Sequence, residues 1–297
     1  MSSGFWWATG CGLPSPLRVS VVGLGLIGRS LASALRQRLP RVHITGIDRD
    51  PAPPQGLGGG LVDEFLGEQD MAPIARAFAD SHVIFIATPV SVIPRWLALA
   101  VGHPALVIDC GSSKREIARA GRALAGAERF VPGHPMAGAG ADRAATRADL
   151  FEGRSWVLCP EGSDPLAFAA AESLVAWLGA RPVRMTADAH DRAVAWTSHV
   201  PRLVASALTA LAWREGALPA AGPAFERLSR GAGGSIEMWR DVLSSNSDEV
   251  ARALRALVGE LQDCAAELER GSVEQLLLLL SEAERARESF DASVPGA

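Results

Sequence analysis

The chain has 297 residues, of which 48% are hydrophobic and 21% are charged, and this composition predicts a folded globular protein of about two domains. Its formal net charge of −4 gives no basis for nucleic acid or an anionic membrane as a partner. The four cysteines lie far apart without C-x-x-C spacing, which argues against a disulfide or metal framework and favours a reducing, cytoplasmic location.

Residues 1–17 form the first predicted segment, and they have neither a basic start nor a long apolar core. We therefore interpret them as a disordered or weakly ordered extension rather than a signal peptide. The leucine run at 276–280 is too short to span a membrane and has acidic residues on both sides. The sequence thus predicts no membrane segment.

Residues 19–48 contain a pattern that is typical of a dinucleotide site. A short apolar run leads into Gly23, Gly25 and Gly28, a helix-forming stretch follows, and a second apolar run ends in Asp48. Gly23 would permit the tight turn, Gly25 would let the backbone approach a pyrophosphate, and Gly28 would let helix and strand pack closely.

The two ends of this pattern predict how a dinucleotide is held. Leu26 and Ile27 begin the helix, whose free N–H groups and positive dipole end favour a phosphate. Asp48 would accept hydrogen bonds from the adenosine ribose hydroxyls and repel a 2′-phosphate, which favours NAD over NADP. Arg49 follows directly, and a cation there would tolerate NADP.

Strands and helices alternate to about residue 185. The apolar run 81–87 is typical of a parallel strand buried on both faces, and Thr88 and Pro89 end it at the carboxyl edge, where ligands bind in open sheets. Further short strands, the last of which would close the sheet, are predicted at 105–109, 156–159 and 182–185. The pattern predicts an α/β doubly wound (Rossmann) dinucleotide-binding domain over residues 18–186, with a Pro/Gly-rich loop at 51–60.

From residue 187 onwards the pattern is helical only, which predicts an all-α domain at 187–297. Apolar residues recur at helical spacing from 188 to 214, and Pro201 is expected to kink that helix. The five consecutive leucines at 276–280 would cover every side of a helix, which favours burial by a second copy. We therefore expect a homodimer formed through this half.

Polar side chains suited to chemistry follow two of the predicted strands. His134 lies between Gly133 and Pro135 at the carboxyl edge, and Ser112 follows the strand before it. A dehydrogenase that oxidises an alcohol needs an acceptor for the hydroxyl proton as hydride leaves, and a neutral imidazole suits that role. Ser112 would orient the same hydroxyl. We expect activity to fall in acid near the ordinary histidine pKa of about 6.5.

The chain resembles the prephenate dehydrogenases, and the closely related arogenate dehydrogenases, of the tyrosine pathway. The resemblance runs from about residue 17 to residue 289 and rests on these motifs: VVGLGLIGRSL, ATPV, DCGSSK, PGHPMAG followed by ADLFEGRSWVL, ADAHDRAVAWTSHVPRLVA and EMWRDVLSSN. It implies a homodimeric enzyme that converts prephenate into 4-hydroxyphenylpyruvate by NAD-dependent oxidative decarboxylation, with an active site between its two domains.

The resemblance also implies roles for five residues. His134, the histidine of GHPMAG, would be the catalytic hydrogen-bond acceptor, and Ser112 would assist it. Arg230, eight residues before the Met-Trp pair, would bind a substrate carboxylate, with His199 or Arg202 contributing to the second carboxylate.

Two departures from the family pattern leave the substrate open. Arg202 stands where the family commonly has a second histidine, and RGAGGSIEMW lacks the usual serine and proline. Arogenate and an amino-substituted prephenate therefore remain alternative substrates. A different NAD-dependent hydroxyacid dehydrogenase and a non-catalytic NAD-sensing dimer are more distant alternatives. His190 and Asp191 are interpreted as a polar pair at a helix start and are left out of the predicted site.

Overall fold

A computed structural model of the chain describes residues 13–39, 41–50, 60–138 and 146–293. Most of the predicted amino-terminal extension and of the Pro/Gly-rich loop lies outside these residues. The first half is built on a six-stranded parallel sheet whose order is β3-β2-β1-β4-β5-β6. Its strands are β1 (Leu17–Val22), β2 (Val42–Asp48), β3 (Glu64–Gly67), β4 (Val83–Ile86), β5 (Leu106–Asp109) and β6 (Phe130–Val131).

Helices cover both faces of this sheet, as the near-continuous apolar strands require. The helices of this half are α1 (Leu26–Arg38), α2 (Met71–Asp80), α3 (Ile93–Ala100), α4 (Arg115–Arg122) and α5 (Pro165–Trp177). Leu31 of α1 and Leu174 of α5 belong to the core on one face. Phe78 of α2 and Trp96 of α3 meet edge to face in the core on the other. The predicted doubly wound arrangement is therefore confirmed.

The later strands do not close the main sheet, so that part of the prediction is wrong. β7 (Gly133–Pro135), β8 (Ser155–Leu158) and β9 (Arg181–Arg184) form a separate three-stranded sheet, with β7 antiparallel to β8 and β8 parallel to β9. Apolar runs predict strands but not their partners, because pairing depends on where the chain turns. Here β6 is only two residues long, and the chain turns at Pro132 to pair His134 with Val157.

The second half consists of helices. They are α6 (Ala187–Val194), α7 (Val200–Arg214), α8 (Pro223–Ser229), α9 (Ile236–Ser245), α10 (Ser247–Glu269) and α11 (Glu274–Ser293). The predicted long helix is divided by a π-helical turn over Ala195–His199, which joins α6 to α7. Such turns insert one residue into the helical ladder and are frequent at functional sites. Pro201 lies in the first turn of α7, and the kink expected at it remains a prediction.

The core of the helical half is small. Ala195 and Val200 pack against Val250 and Ala253 of α10. By contrast, large apolar side chains of α11 are exposed, including Leu278 at 63% and Leu280 at 64%. Among the residues that the structure describes, no helix is long and apolar enough to cross a membrane.

We propose to divide the chain at residues 186 and 187, as the sequence predicts. The second sheet ends at Arg184, and the Thr186 side chain accepts a hydrogen bond from the Ala189 N–H to cap α6. A side-chain cap of this kind starts a new helix independently of the preceding strand. Polar contacts nevertheless join the two halves, and they define the site described next.

Candidate active site

The glycine turn between β1 and α1 is closely packed on one side and open on the other. Gly23 has a φ of +88°, and a Cβ on Gly28 would lie 1.8 Å from the Gly23 carbonyl oxygen. A Cβ on Gly25 would meet no atom within 4 Å. The α1 helix has no side-chain cap at Gly25, so the first N–H groups, those of Leu26 and Ile27, remain available to a phosphate.

Asp48 at the end of β2 also contacts this turn. Its Oδ2 accepts a hydrogen bond from the Leu24 N–H at 2.5 Å, and the side chain is half-buried, whereas Arg49 is exposed. At the end of β4, the Thr88 hydroxyl is buried without a hydrogen-bond partner in the described part of the chain. Pro89 follows it and begins a short 3₁₀ turn. These residues surround one edge of the sheet, and their arrangement fits a dinucleotide.

A buried ion pair fixes the neighbouring edge of the sheet. Lys114 Nζ donates to Asp109 Oδ2 and to the Gly133 carbonyl, the latter at 2.6 Å. Asp109 in turn accepts from the N–H groups of Gly111 at 2.8 Å and Gly133 at 3.1 Å. Lys114 and Asp109 are both fully buried. Because each charge is paired and hydrogen-bonded, the pair ties the end of β5 to the strand that carries His134.

His134 is hydrogen-bonded to a second histidine that the sequence interpretation omitted. His134 Nδ1 lies 2.8 Å from His190 Nε2, and His190 Nδ1 lies 2.7 Å from Asp191 Oδ1. His190 and Asp191 are fully buried, while His134 is half-buried. Asp191 also accepts from the N–H groups of Lys114 at 2.7 Å and Arg115 at 2.9 Å. The row of three side chains thus crosses from the second half of the chain to the first.

The electrostatics of this row keep both imidazoles neutral at physiological pH. Burial lowers the pKa of His134 well below its usual value, and His190 and the Lys114 ammonium lower it further. Burial also lowers the pKa of His190, against the opposing effect of Asp191. Burial opposes ionisation of Asp191, but hydrogen bonds from His190 and the two backbone N–H groups outweigh it, so its pKa is lowered. We therefore expect the acid limb of activity below the ordinary histidine pKa of about 6.5, rather than near it.

His199 lies deeper than expected for a residue that contacts substrate. It ends the π-helical turn with 1% exposure, 3.4 Å from Asn246 Nδ2 through its Nδ1 and edge-on to the Trp239 ring. Burial, with the neighbouring His190, lowers its pKa to about 4. His199 is thus neutral at pH 7 and brings no positive charge to a carboxylate, and its contact with substrate remains a prediction.

Arg202 supports the loop that carries Arg230. Its NH1 donates to the carbonyl oxygens of Gly231 and Gly233, and its guanidinium lies 5.2 Å from the centre of the Trp239 ring. Arg230 begins the short 3₁₀ turn in this loop and is exposed. The structure therefore gives Arg202 a supporting role that the sequence did not predict, and its contact with a carboxylate remains a prediction.

Ser112 lies in the segment that leads from β5 into α4, and it is half-buried. It shares this segment with Gly111 and Lys114, which bind Asp109 at the end of β5, and the same network holds the backbone of Gly133. This network joins the segments that carry Ser112 and His134, while Arg230 comes from the helical half. Among the described residues, no group of three His, Cys, Asp or Glu side chains is placed to hold a metal ion.

The residues that sequence reasoning missed share a recognisable signal. His190 and Asp191 lie on the same stripe of α6 as Ala187 and Val194, and all four are buried. A polar pair in the apolar stripe of an amphipathic helix must find partners inside the protein. Asn246 was also missed, and its Nδ2 donates to the Asp191 carbonyl at 2.8 Å.

Comparison with known proteins matches both halves of the chain to one family. The family model described as "Prephenate dehydrogenase, nucleotide-binding domain" matches residues 31–184, and "Prephenate dehydrogenase, dimerization domain" matches residues 186–282. The first match begins after the glycine turn. The interpretation of that turn as a dinucleotide site therefore rests on its own geometry.

Curated relatives agree with the family models. A prephenate dehydrogenase from Bacillus subtilis (strain 168) is 29% identical over 94% of this chain and 77% of the relative. A cyclohexadienyl dehydrogenase from Zymomonas mobilis is 26% identical over 91% of this chain and 94% of the relative. A probable prephenate dehydrogenase from Streptomyces niveus is 32% identical over 84% of this chain and 66% of the relative.

Solved structures give the same result. Prephenate dehydrogenase from Aquifex aeolicus, in complex with hydroxyphenyl propionate and NAD+, has a TM-score of 0.82 at 25% identity and covers 93% of this chain and 98% of its own. Arogenate dehydrogenase from Synechocystis has a TM-score of 0.74 at 30% identity and covers 92% and 99%. The chain belongs to the prephenate/arogenate dehydrogenase family and is an oxidoreductase of that type, with a nucleotide-binding domain followed by a dimerisation domain.

Proposed function

We propose that this protein catalyses the NAD-dependent oxidative decarboxylation of prephenate to 4-hydroxyphenylpyruvate. The observation that carries the proposal is that His134 has a neutral imidazole and follows Gly133, which is bound to the carboxyl end of β5. Its Nδ1 contacts His190, and no described residue is hydrogen-bonded to its Nε2. A histidine in this state suits the acceptance of a hydroxyl proton from a bound alcohol.

The dinucleotide would lie along the edge formed by the glycine turn. The backbone of Gly25 and the first N–H groups of α1 would hold the pyrophosphate, since the space beside Gly25 is open. Asp48 would accept hydrogen bonds from the ribose hydroxyls, and Thr88 offers a buried hydroxyl without a partner among the described residues. When bound, NAD would supply the hydride acceptor. A relative with a TM-score of 0.82 was crystallised with NAD+, which supports this cofactor.

The substrate would lie between the two halves of the chain. Arg230, exposed at the start of its loop, would pair with a substrate carboxylate. Arg202 adds positive charge beside it while it supports the loop, and Ser112 would orient the substrate hydroxyl. Two arginines favour a substrate whose side chain is purely anionic. The side chain of arogenate also bears an ammonium group, so we place prephenate first.

The reaction follows from these positions. His134 accepts the hydroxyl proton while hydride leaves the carbon that bears that hydroxyl. Loss of the ring carboxylate as carbon dioxide then leaves an aromatic ring, which makes the step effectively irreversible. The buried pair of Lys114 and Asp109 holds the Gly133 backbone and thereby the position of His134.

Arogenate is the second candidate substrate, because the Synechocystis arogenate dehydrogenase is 30% identical over 92% of this chain. The test is an absorbance assay of NADH formation with prephenate, arogenate and an amino-substituted prephenate, each at saturating NAD. The proposal expects the highest kcat/KM with prephenate. A higher value with either amino compound would replace the substrate, and no turnover with any of them would favour a non-catalytic NAD-binding dimer.

We also propose that the helical half forms a homodimer. The match to the family's dimerisation domain and the exposed leucines of α11 support it. Leu278→Glu and Leu279→Glu together should give insoluble or unfolded protein, since they place charge in the proposed interface. The wild-type protein should sediment as a dimer at micromolar concentration. A stable and active wild-type monomer would refute this assembly.

A further inference from the structure

We propose that His190 and Asp191 are positioning residues that hold His134 in the Nδ1–H tautomer, so that the Nε2 lone pair faces the substrate hydroxyl. The inference rests on the proposed function only in that His134 is the proton acceptor. His190 is fully buried, so it has no surface with which to contact substrate. Any effect it has on the reaction must pass through His134.

The direction of the hydrogen bonds is set at Asp191. An ionised carboxylate can only accept, and Asp191 accepts from the N–H groups of Lys114 and Arg115. His190 Nδ1 lies 2.7 Å from the same carboxylate, so Nδ1 must carry the hydrogen of that bond. The two backbone donors also stop the carboxylate from rotating, which fixes the plane in which His190 lies.

The same reasoning continues along the row. Because burial keeps His190 neutral, its Nε2 has no hydrogen and must accept the bond from His134. His134 Nδ1, at 2.8 Å, must therefore carry a hydrogen. Since His134 is also neutral, its Nε2 is left with a lone pair. This is the one tautomer that gives every contact in the row a donor and an acceptor.

Charged neighbours do not disturb this assignment. Lys114 Nζ is bound to Asp109 and to the Gly133 carbonyl, so it does not compete for either imidazole. Arg115 pairs with Asp248, donating from NH1 to Oδ2 at 2.8 Å, and its Nε lies 3.4 Å from Asp191 Oδ2. These contacts stabilise the carboxylate as an anion.

The arrangement joins the two halves of the molecule. His134 belongs to β7, whereas His190 and Asp191 belong to α6, and Asn246 at the start of α10 donates to the Asp191 carbonyl. The proton acceptor is therefore correctly prepared only when the helical half is docked against the sheet edge. In other proteins the tautomer of a functional histidine is often set by a carboxylate or carbonyl bound to its second ring nitrogen. Here His190 lies between His134 and the Asp191 carboxylate.

The tautomer can be read directly by ¹⁵N NMR of histidine-labelled protein near pH 7.5, without substrate or NAD. The chain has six histidines, and the signals that His134→Asn removes identify those of His134. The proposal expects a protonated Nδ1 and an unprotonated Nε2 in the wild-type protein. An unprotonated Nδ1 with a protonated Nε2 would overturn it.

Two substitutions of His190 separate the effect of its hydrogen bonds on His134 from the effect of its side-chain size. His190→Gln can accept from His134 through its carbonyl and donate to Asp191 through its amide, so it should keep the tautomer and most of the turnover. His190→Met has a similar size but neither function. It should shift His134 towards the Nε2–H form and lower kcat by about 10–10²-fold, part of the usual contribution of a positioned base, with KM for NAD unchanged.

Wild-type turnover in His190→Met, or an unchanged His134 tautomer there, would overturn the proposal. If His190→Met does not fold, the wild-type and His190→Gln spectra still decide the question. The spectra need no substrate, so a wrong inference would show itself as a different His134 tautomer, whatever reaction the enzyme catalyses. Failure of the proposed function is seen separately, as absence of NADH formation by the wild-type enzyme.

Discussion

The glycine turn and the row of His134, His190 and Asp191 lie near the carboxyl ends of different parallel strands, β1 and β5, and they differ in construction. The turn is formed by backbone atoms. Gly23, Gly25 and Gly28 lie within six residues, and the absence of side chains leaves space for close packing and for a ligand. The row uses buried side chains from segments far apart in the chain, with His134 and His190 separated by 56 positions. A local site of this kind survives wherever its strand and helix form, whereas the row exists only in the fully assembled molecule.

The two regions also differ in how they tolerate change. In the turn, the cost of a substitution is steric and depends on one or two atoms. Asp191 in the row and the neighbouring pair of Asp109 and Lys114 are buried charges, and removal of one partner leaves another charge unpaired. Substitutions in the row should therefore affect chemistry and stability together, while those in the turn should separate them. The following substitutions test that difference.

The largest effect is expected from His134→Asn. Asparagine keeps a similar size but cannot accept the proton, so kcat should fall by about 10²–10⁴-fold, the usual contribution of a general base, with NAD affinity nearly unchanged. In the wild-type enzyme, the acid limb of kcat should lie below the ordinary histidine pKa, because burial and Lys114 favour the neutral ring. Turnover measured from pH 5 to 9 checks both points. Wild-type turnover in the variant would place the acceptor elsewhere, with His199 examined first.

Arg230→Ala should raise KM for the substrate by roughly 10–10²-fold, the effect of losing a hydrogen bond to a charged group. Turnover should fall less, because the interaction is common to ground and transition states. Arg227→Ala is the matched control, since Arg227 is also exposed and lies in the preceding helix, α8. Steady-state kinetics of both variants measure this difference. An equal change of KM in the two variants would show that Arg230 does not bind the substrate.

Asp48 tests the cofactor side. The wild-type enzyme should prefer NAD over NADP by about 10–10²-fold if the carboxylate binds the ribose hydroxyls. Asp48→Asn can still accept from the Leu24 N–H, so the turn should keep its shape while the preference falls by about tenfold. Arg49→Ala serves as the control and should leave the preference unchanged. Equal use of both cofactors by the wild-type protein would instead assign the choice to Arg49.

The same contrast explains what the sequence could predict. The parallel sheet, its covering helices and the glycine turn depend on local patterns, and these predictions agree with the structure. The second sheet was mispredicted because the pairing of β8 with β7 and β9 is non-local. The role of His190 is unpredictable for a related reason: no local pattern shows that its ring nitrogen meets His134, and only the packing of α6 against β7 brings them together.

The smallest effects should come from a matched pair of alanine substitutions in the glycine turn. Gly25, the N-cap of α1, has a φ of −70°, and Gly28 lies within the helix, so alanine suits the backbone at both positions. The larger difference between them is the space beside each Cα atom. Gly28→Ala gains up to about 1 kcal/mol in helix propensity. It also places a methyl group 1.8 Å from the Gly23 carbonyl oxygen, and overpacking of this kind costs about 1–3 kcal/mol or more.

The clash should therefore outweigh the propensity, and Gly28→Ala should lower Tm by a few degrees, at roughly 2–4 °C per kcal/mol for a chain of this size. Gly25→Ala should melt like the wild type, because its methyl group meets no protein atom within 4 Å. That methyl group would stand where the pyrophosphate approaches, so Kd for NAD should rise by about tenfold, as for one extra methyl group in a close-fitting site. Calorimetry and NAD titration of the two variants check this, and an unchanged Kd in Gly25→Ala would place the pyrophosphate away from this turn.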